Sequence, residues 1–180
     1  MRCNPTLALL LTLTALAATA ASSAEPPITA ANWRRHPAIL EIEAIYREIR
    51  QAEMSTRLRK EERTFNYCRA YEDSDRTLYL DTGGTARSYH VGRGSDDSAI
   101  QTTTYYDRDG ALRLVLAKAA AVNGTAYAYR IYVSKSGARL WQERRRLHGP
   151  GYSFPVQLPD NWLVRDPTQA FRAAHPCERT

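Results

Sequence analysis

The turn signals that break up residues 63–148 constrain this chain more than any other feature. Glu72–Asp75, Thr82–Gly84, Gly92–Ser98, Asp107–Gly110, Asn123–Gly124, Ser134–Gly137 and His148–Gly151 are rich in Gly, Asp, Asn and Ser. Between them lie short runs of Tyr, Thr, Val, Ile and Leu. Short β-prone runs separated by regular turns predict an antiparallel meander. Seven strands are expected, near 63–72, 76–81, 85–91, 99–106, 111–120, 125–133 and 138–147.

Upstream the texture is helical. Pro37 suits a first helical position, where its missing N–H is not needed. Ala38, Ile42, Ile45, Ile49 and Ala52 recur at spacings of four and three, and Ile39 and Tyr46 widen the stripe. That pattern predicts an amphipathic helix of roughly 20 or more residues. Glu43–Arg47 and Glu53–Arg57 sit at i,i+4 and are expected on its wet side. The apolar stripe has a sheet downstream to cover. The expected fold is α+β: one long N-terminal helix packed on a curved antiparallel meander sheet of about seven strands.

Two hairpins set an expected register. Asn-Gly is the strongest two-residue turn signal, because both residues must reach positive φ. A turn at Asn123–Gly124 pairs Val122 with Thr125, and hence Leu116 with Ile131 and Leu114 with Val133. A Ser134–Gly137 turn, with Gly137 as a left-handed bulge residue, pairs Val133 with Ala138 and Ile131 with Leu140. Leu114, Leu116, Ile131, Val133 and Leu140 then share one core face, since opposed residues point the same way. The wording between Tyr105 and Leu140 resembles the YD repeats of Rhs-type shell proteins and, more loosely, MORN-like hairpin repeats. The resemblance implies hairpin geometry and no function.

The same pairing turns the alternate residues outward. Residues 111–148 hold eight Lys or Arg and a single acid, Glu143. Arg113, Arg130, Arg139 and Arg145 are expected on the open face with Tyr132 and Trp141. Arg139 should lie across from Tyr132 and Arg130 across from Trp141. Such pairs stack as cation–π contacts, and Arg and Trp are enriched where binding energy concentrates. Arg113, Arg130, Tyr132, Arg139, Trp141 and Arg145 are therefore the candidate binding residues, for an acidic protein or an anionic envelope polymer.

Nucleic acid is disfavoured as a partner because the chain carries an export signal. Met1–Arg2, the apolar run Thr6–Ala20 and the small residues before Glu25 read as a secretory signal peptide over residues 1–24. The run is shorter than the ~20 residues a membrane span needs and contains Thr12, Thr14 and Thr19. The processed chain is expected to be periplasmic or secreted and not to span a membrane. Residues 25–36 are expected as a flexible tether and 37–180 as a single domain. Loss of Cys3 with the signal leaves Cys68 and Cys177, and two cysteines in an exported chain predict one disulfide.

Chemistry-bearing motifs are sparse. The four histidines stand apart at 36, 90, 148 and 175, there is no Cys-x-x-Cys, and no metal or cofactor is expected. Asp107-x-Asp109-Gly110 lacks the remaining ligands of a calcium loop. Asn123-Gly124-Thr125 fits a glycosylation sequon and is equally a hairpin turn. His90 with Ser95, Asp96, Asp97 and Ser98 is the candidate catalytic set, without a nucleophile-elbow spacing. Small size, one expected disulfide and no catalytic signature favour a non-catalytic exported binding protein of inhibitor, immunity or envelope-binding type. A small exported hydrolase using His90 with the nearby Asp and Ser, and a structural envelope component, are the alternatives.

Overall fold

The computed structural model of the protein describes residues 25–65 and 73–175. Helix α1 spans Pro37–Met54. The strands are β1 (Arg59–Thr64), β2 (Asp73–Leu80), β3 (Ala86–Gly94), β4 (Ser98–Tyr106), β5 (Leu112–Ala121), β6 (Ala126–Val133) and β7 (Arg139–His148). They pair antiparallel in chain order, β1 to β7, in one sheet that is not closed. The fold is thus the α+β meander that the turn spacing predicts. Among the described residues, no helix is long and apolar enough to cross a membrane.

Four hairpin turns share one construction. They span Asp81–Thr85, Asp107–Ala111, Ala121–Thr125 and Ser134–Ala138. In each, the glycine N–H donates to the first residue's carbonyl at 2.9–3.1 Å, and the first residue's N–H donates to the fifth residue's carbonyl at 2.8–3.0 Å. The glycine takes a φ of +78° to +86° in all four. This is the three-residue hairpin loop closed by one left-handed residue. Asp81 and Asp107 reinforce it by accepting two backbone N–H groups each on Oδ1.

That construction corrects the register expected at Asn123–Gly124. Asn123 does not reach positive φ, so the loop holds three residues rather than two, and Ala121 rather than Val122 opens it. Every pair downstream slips by one. Val115 opposes Ile131, Leu114 opposes Tyr132 and Leu116 opposes Arg130. A slip of one residue reverses the face of every side chain, so Leu116 and Ile131 lie on opposite faces. At the next hairpin Gly137 is left-handed as expected. A register shift between Tyr132 and Val133 nevertheless sets Ile131 against Gln142 and Tyr132 against Trp141, so Leu140 is not the partner of Ile131.

Both faces of the sheet are covered. One carries Leu78, Tyr89, Tyr106, Val115, Ile131 and Val133. Over it runs a C-terminal strap, residues 149–175, with a 3-10 turn at Asp160–Trp162 and a short helix α2 at Pro167–Arg172. Leu158, Leu163 and Phe171 of the strap complete that core. The other face carries Tyr105, Leu114 and Tyr132 and is covered by Ile39, Ile42 and Ile49 of α1 and by Trp33. Residues 25–36 make contacts among themselves. Trp33 is buried, its N–H and that of Asn32 both donate to Thr29 O, and His36 Nε2 bonds Pro26 O at 2.8 Å.

Candidate functional site

Strand pairing sets out the helix side of the sheet as rows that run across all seven strands. The first is Lys60, Tyr79, Ser88, Tyr105, Leu114, Tyr132, Trp141; the second is Glu62, Thr77, His90, Thr103, Leu116, Arg130, Glu143. The third is Thr64, Asp75, Gly92, Gln101, Lys118, Ala128, Arg145. Helix α1 and the short turn ahead of it cross the strands over the first row, from Trp33 stacked on Trp141 to Glu53 beside Ser88. One helix is too narrow to cover three rows. The second is half-open, and Gln101, Lys118 and Arg145 of the third are exposed.

The six binding candidates do not form one open face. Tyr132 is buried under α1 and donates its hydroxyl to Glu43 Oε1 at 2.5 Å. Burial first, and the Glu43 carboxylate second, push its phenol well above the ordinary range. Trp141 is half-buried against Trp33, ring centroids 5.9 Å apart. Arg130 is bound by Glu43 at 3.2 Å and opposes Glu143, not Trp141. Arg113 falls at the register shift between Tyr105 and Tyr106. It is 3% exposed, where Asp107, Glu41 and the carbonyl of Val133 hold it. Arg139 opposes Val133, and its guanidinium reaches the strap, donating to Leu158 O and Asp160 Oδ1. Of the six, Arg145 alone is exposed. The physical reason is the same one-residue slip: it put Tyr132 and Arg130 beneath the helix instead of on the wet side.

His90 has other neighbours than those expected. Ser95, Asp97 and Ser98 close the β3–β4 turn on themselves: Ser95 Oγ donates to Asp97 Oδ1 at 2.9 Å and lies 2.8 Å from Ser98 Oγ. Asp97 Oδ2 accepts the Tyr152 hydroxyl at 2.5 Å. His90 instead faces Thr103 across the strand pair, with Nδ1 3.0 Å from Thr103 Oγ1. Its Nε2 lies 3.6 Å from Glu53 Oε1, and its ring meets Tyr79 edge-on at 5.4 Å.

Glu53 belongs to the last turn of α1, and its side chain is only 5% exposed. Periodicity put it on the wet side, yet the helix end tips it against the sheet. It accepts Ser88 Oγ at 2.5 Å and is paired with Arg50. Burial pushes its carboxyl up, but the nearby His90 ring, the hydrogen bond from Ser88 and the contact with Arg50 outweigh it. The net effect holds Glu53 below the ordinary glutamate value. No sequence signal joins Glu53 to His90, whereas the His90–Thr103 pair follows once the β3–β4 turn is placed.

Beside this cluster is a groove of about 280 Å³ lined by Lys60, Thr77, Tyr79, His90, Gln101 and Thr103, among others. Along the third row, Lys118 and Arg145 are both opposed to Ala128 from its two sides. Neither cation has an ion-pair partner among the described residues. Ala128, between them, carries only a methyl group. No protein-family model, curated protein or solved structure matches the chain, so its function is read from the site itself.

Proposed function

We propose that this is an exported binding protein that holds an anionic polymer on the open helix-side strip of its sheet. The carrying observation is the run Gln101–Lys118–Ala128–Arg145, with two uncompensated cations flanking one small residue. Strands sit about 4.8 Å apart, so two flexible cationic side chains one strand removed from each other can converge on one phosphate or carboxylate group. Arg offers a bidentate fork and Lys a mobile point charge. A polymer fits better than a folded acidic protein, because protein interfaces concentrate their energy in desolvated aromatic and Arg anchors. Tyr132 and Trp141 are engaged under α1 and supply none. Export rests on Met1–Ala24, and N-terminal sequencing of the processed chain tests it.

Binding to polyphosphate and to polyglutamate, measured against neutral dextran, is the experiment. Affinity for one of the polyanions should fall steeply with salt, as screening over ~8 Å at physiological ionic strength requires. It should drop at least tenfold in the Lys118→Ala, Arg145→Ala double variant. Equal affinity for neutral and anionic polymers, or an unaffected double variant, would refute the reading.

A disulfide between Cys68 and Cys177 belongs to the same proposal. Both residues lie outside the described ones. Support comes from their flanks: Phe65 stacks on His175 with ring centroids 3.7 Å apart and planes 6° from parallel. Those rings are three positions from Cys68 and two from Cys177, each at most about 10 Å of chain. Mass spectrometry of unreduced peptides decides the point, and two alkylatable thiols in the exported protein would exclude the bond.

A further inference from the structure

We propose that Thr103 is a nucleophile for acyl transfer, with His90 as its general base and Glu53 as the carboxylate that orients and charges the base. The inference stands apart from polyanion binding, since neither Lys118 nor Arg145 lines the groove it uses.

Three features carry it. The first is order in space: Thr103 Oγ1 lies 3.0 Å from His90 Nδ1, and His90 Nε2 lies 3.6 Å from Glu53 Oε1. A nucleophile bonded to a base, and the base faced by a third group, is the arrangement that activates a hydroxyl. The second is the tautomer. If Nδ1 accepts the Thr103 proton, the ring proton sits on Nε2, toward Glu53, and the imidazolium formed in the reaction faces a carboxylate. Nε2 is buried and has no hydrogen-bond partner among the described residues; the acceptor it faces is Glu53 Oε1, which also accepts from Ser88. The third is access. Thr103 and His90 line the groove. Ser88, the other hydroxyl on Glu53, is wholly buried and out of reach of any substrate.

The step balances without an added oxidant or metal. Thr103 Oγ1 bonds to the carbonyl carbon of an ester while its proton passes to His90 Nδ1. The bond to the leaving alcohol breaks, and that oxygen takes the proton back from Nδ1. Water then attacks the acyl carbon as its proton passes to Nδ1; the bond from that carbon to Oγ1 breaks, Oγ1 takes the proton back from Nδ1, and the free acid leaves. The groove holds about 280 Å³, and Lys60, Thr77, Tyr79 and Gln101 line it. Its substrates are therefore small esters with hydrogen-bonding groups, not long acyl chains.

The full chain with p-nitrophenyl acetate is the test, read both as turnover and as acetylation mapped by peptide mass spectrometry. The adduct should sit on Thr103. Thr103→Ser should keep turnover. Thr103→Val, which preserves shape and strand preference, should lower it at least 100-fold, as should His90→Ala, the range expected for loss of a general base. Glu53→Gln should lower turnover about tenfold or more while the adduct stays on Thr103. Acetylation confined to lysines, or turnover unchanged in Thr103→Val, would overturn the proposal. So would full activity in His90→Ala.

Discussion

The two faces of the sheet are covered by different kinds of chain, and the sheet is built differently beneath each. Under α1 the contact is mostly apolar, with Leu114 and Tyr105 against Ile39, Ile42 and Ile49. A helix satisfies its own backbone, so the sheet's polar groups on this side meet helix side chains rather than helix carbonyls, as Tyr132 and Arg130 meet Glu43 and Ser88 meets Glu53. The strap has little regular structure, and its carbonyls need donors from elsewhere. The sheet provides them: Tyr106 Oη to Val164 O at 2.8 Å, Tyr129 Oη to Pro155 O at 2.8 Å and Arg139 to Leu158 O at 2.8 Å. Gln142 reaches Val156 O at 2.9 Å, Arg144 reaches Phe154 O at 3.2 Å and Arg76 reaches Ala173 O at 2.7 Å. Much of the arginine excess in the β6–β7 region therefore holds the strap rather than a ligand. The lesson is that a basic sequence run next to an irregular segment can be a set of backbone donors.

The largest expected effects test whether both faces are true core. Leu114 on the helix face and Ile131 on the strap face are both fully buried, and each truncation to Ala should cost ~2–5 kcal/mol in urea unfolding. Leu116, one position from the core row and only half-buried, should lose clearly less. Equal losses at Leu114 and Leu116 would break the observed register.

A smaller effect should separate the faces. Tyr129→Phe and Tyr106→Phe leave ring packing in place but strip a donor from Pro155 or Val164. Each should cost about 1–2 kcal/mol and speed proteolysis within residues 149–175, leaving α1 protected. Uniform protection across the chain would mean the strap is held by burial alone.

Acid should act on the helix face through Glu53. Its folded pKa is below the ordinary 4.5. Its stabilising contribution is therefore complete above the unfolded value and is lost as pH falls through the lower, folded one. Glu53→Gln should be less stable than the parent at neutral pH, and the gap should narrow with acidification below that ordinary value. A gap independent of pH would remove the charged contact with Arg50 from the account. The smallest effect belongs to Val122, 79% exposed at the tip of the β5–β6 hairpin: its change to Ala should stay within about 0.5 kcal/mol.

Six of the seven strands fall within a few residues of their expected spans, and α1 begins at Pro37 as its helix signal requires. The first expected strand, 63–72, lies mostly outside the described residues, and β1 at Arg59–Thr64 was not expected because its charged residues carry no strand pattern of their own. The stripe of α1 was legible through Ile42 and Ile49. Glu43 and Glu53, read as solvent-facing, instead meet Tyr132 and Ser88. The strap had no signal at all, since its contacts are irregular and its donors come from strands distant in sequence.

What the sequence determined by itself was local: where the chain turns, where it is extended, and that one amphipathic helix precedes the sheet. Turn residues and apolar periods act over a few positions, and a single chain displays them openly. Which face each strand residue takes was decided only by the tertiary structure. That choice hangs on whether Asn123–Gly124 closes a loop of two residues or three, and both loops suit the same dipeptide. Packing settles it: the three-residue loop places Val115 and Ile131 under the strap and Leu114 and Tyr132 under α1. The tertiary structure also sets Glu53 of the helix end against His90 in mid-sheet, a meeting for which no spacing along the chain gives notice.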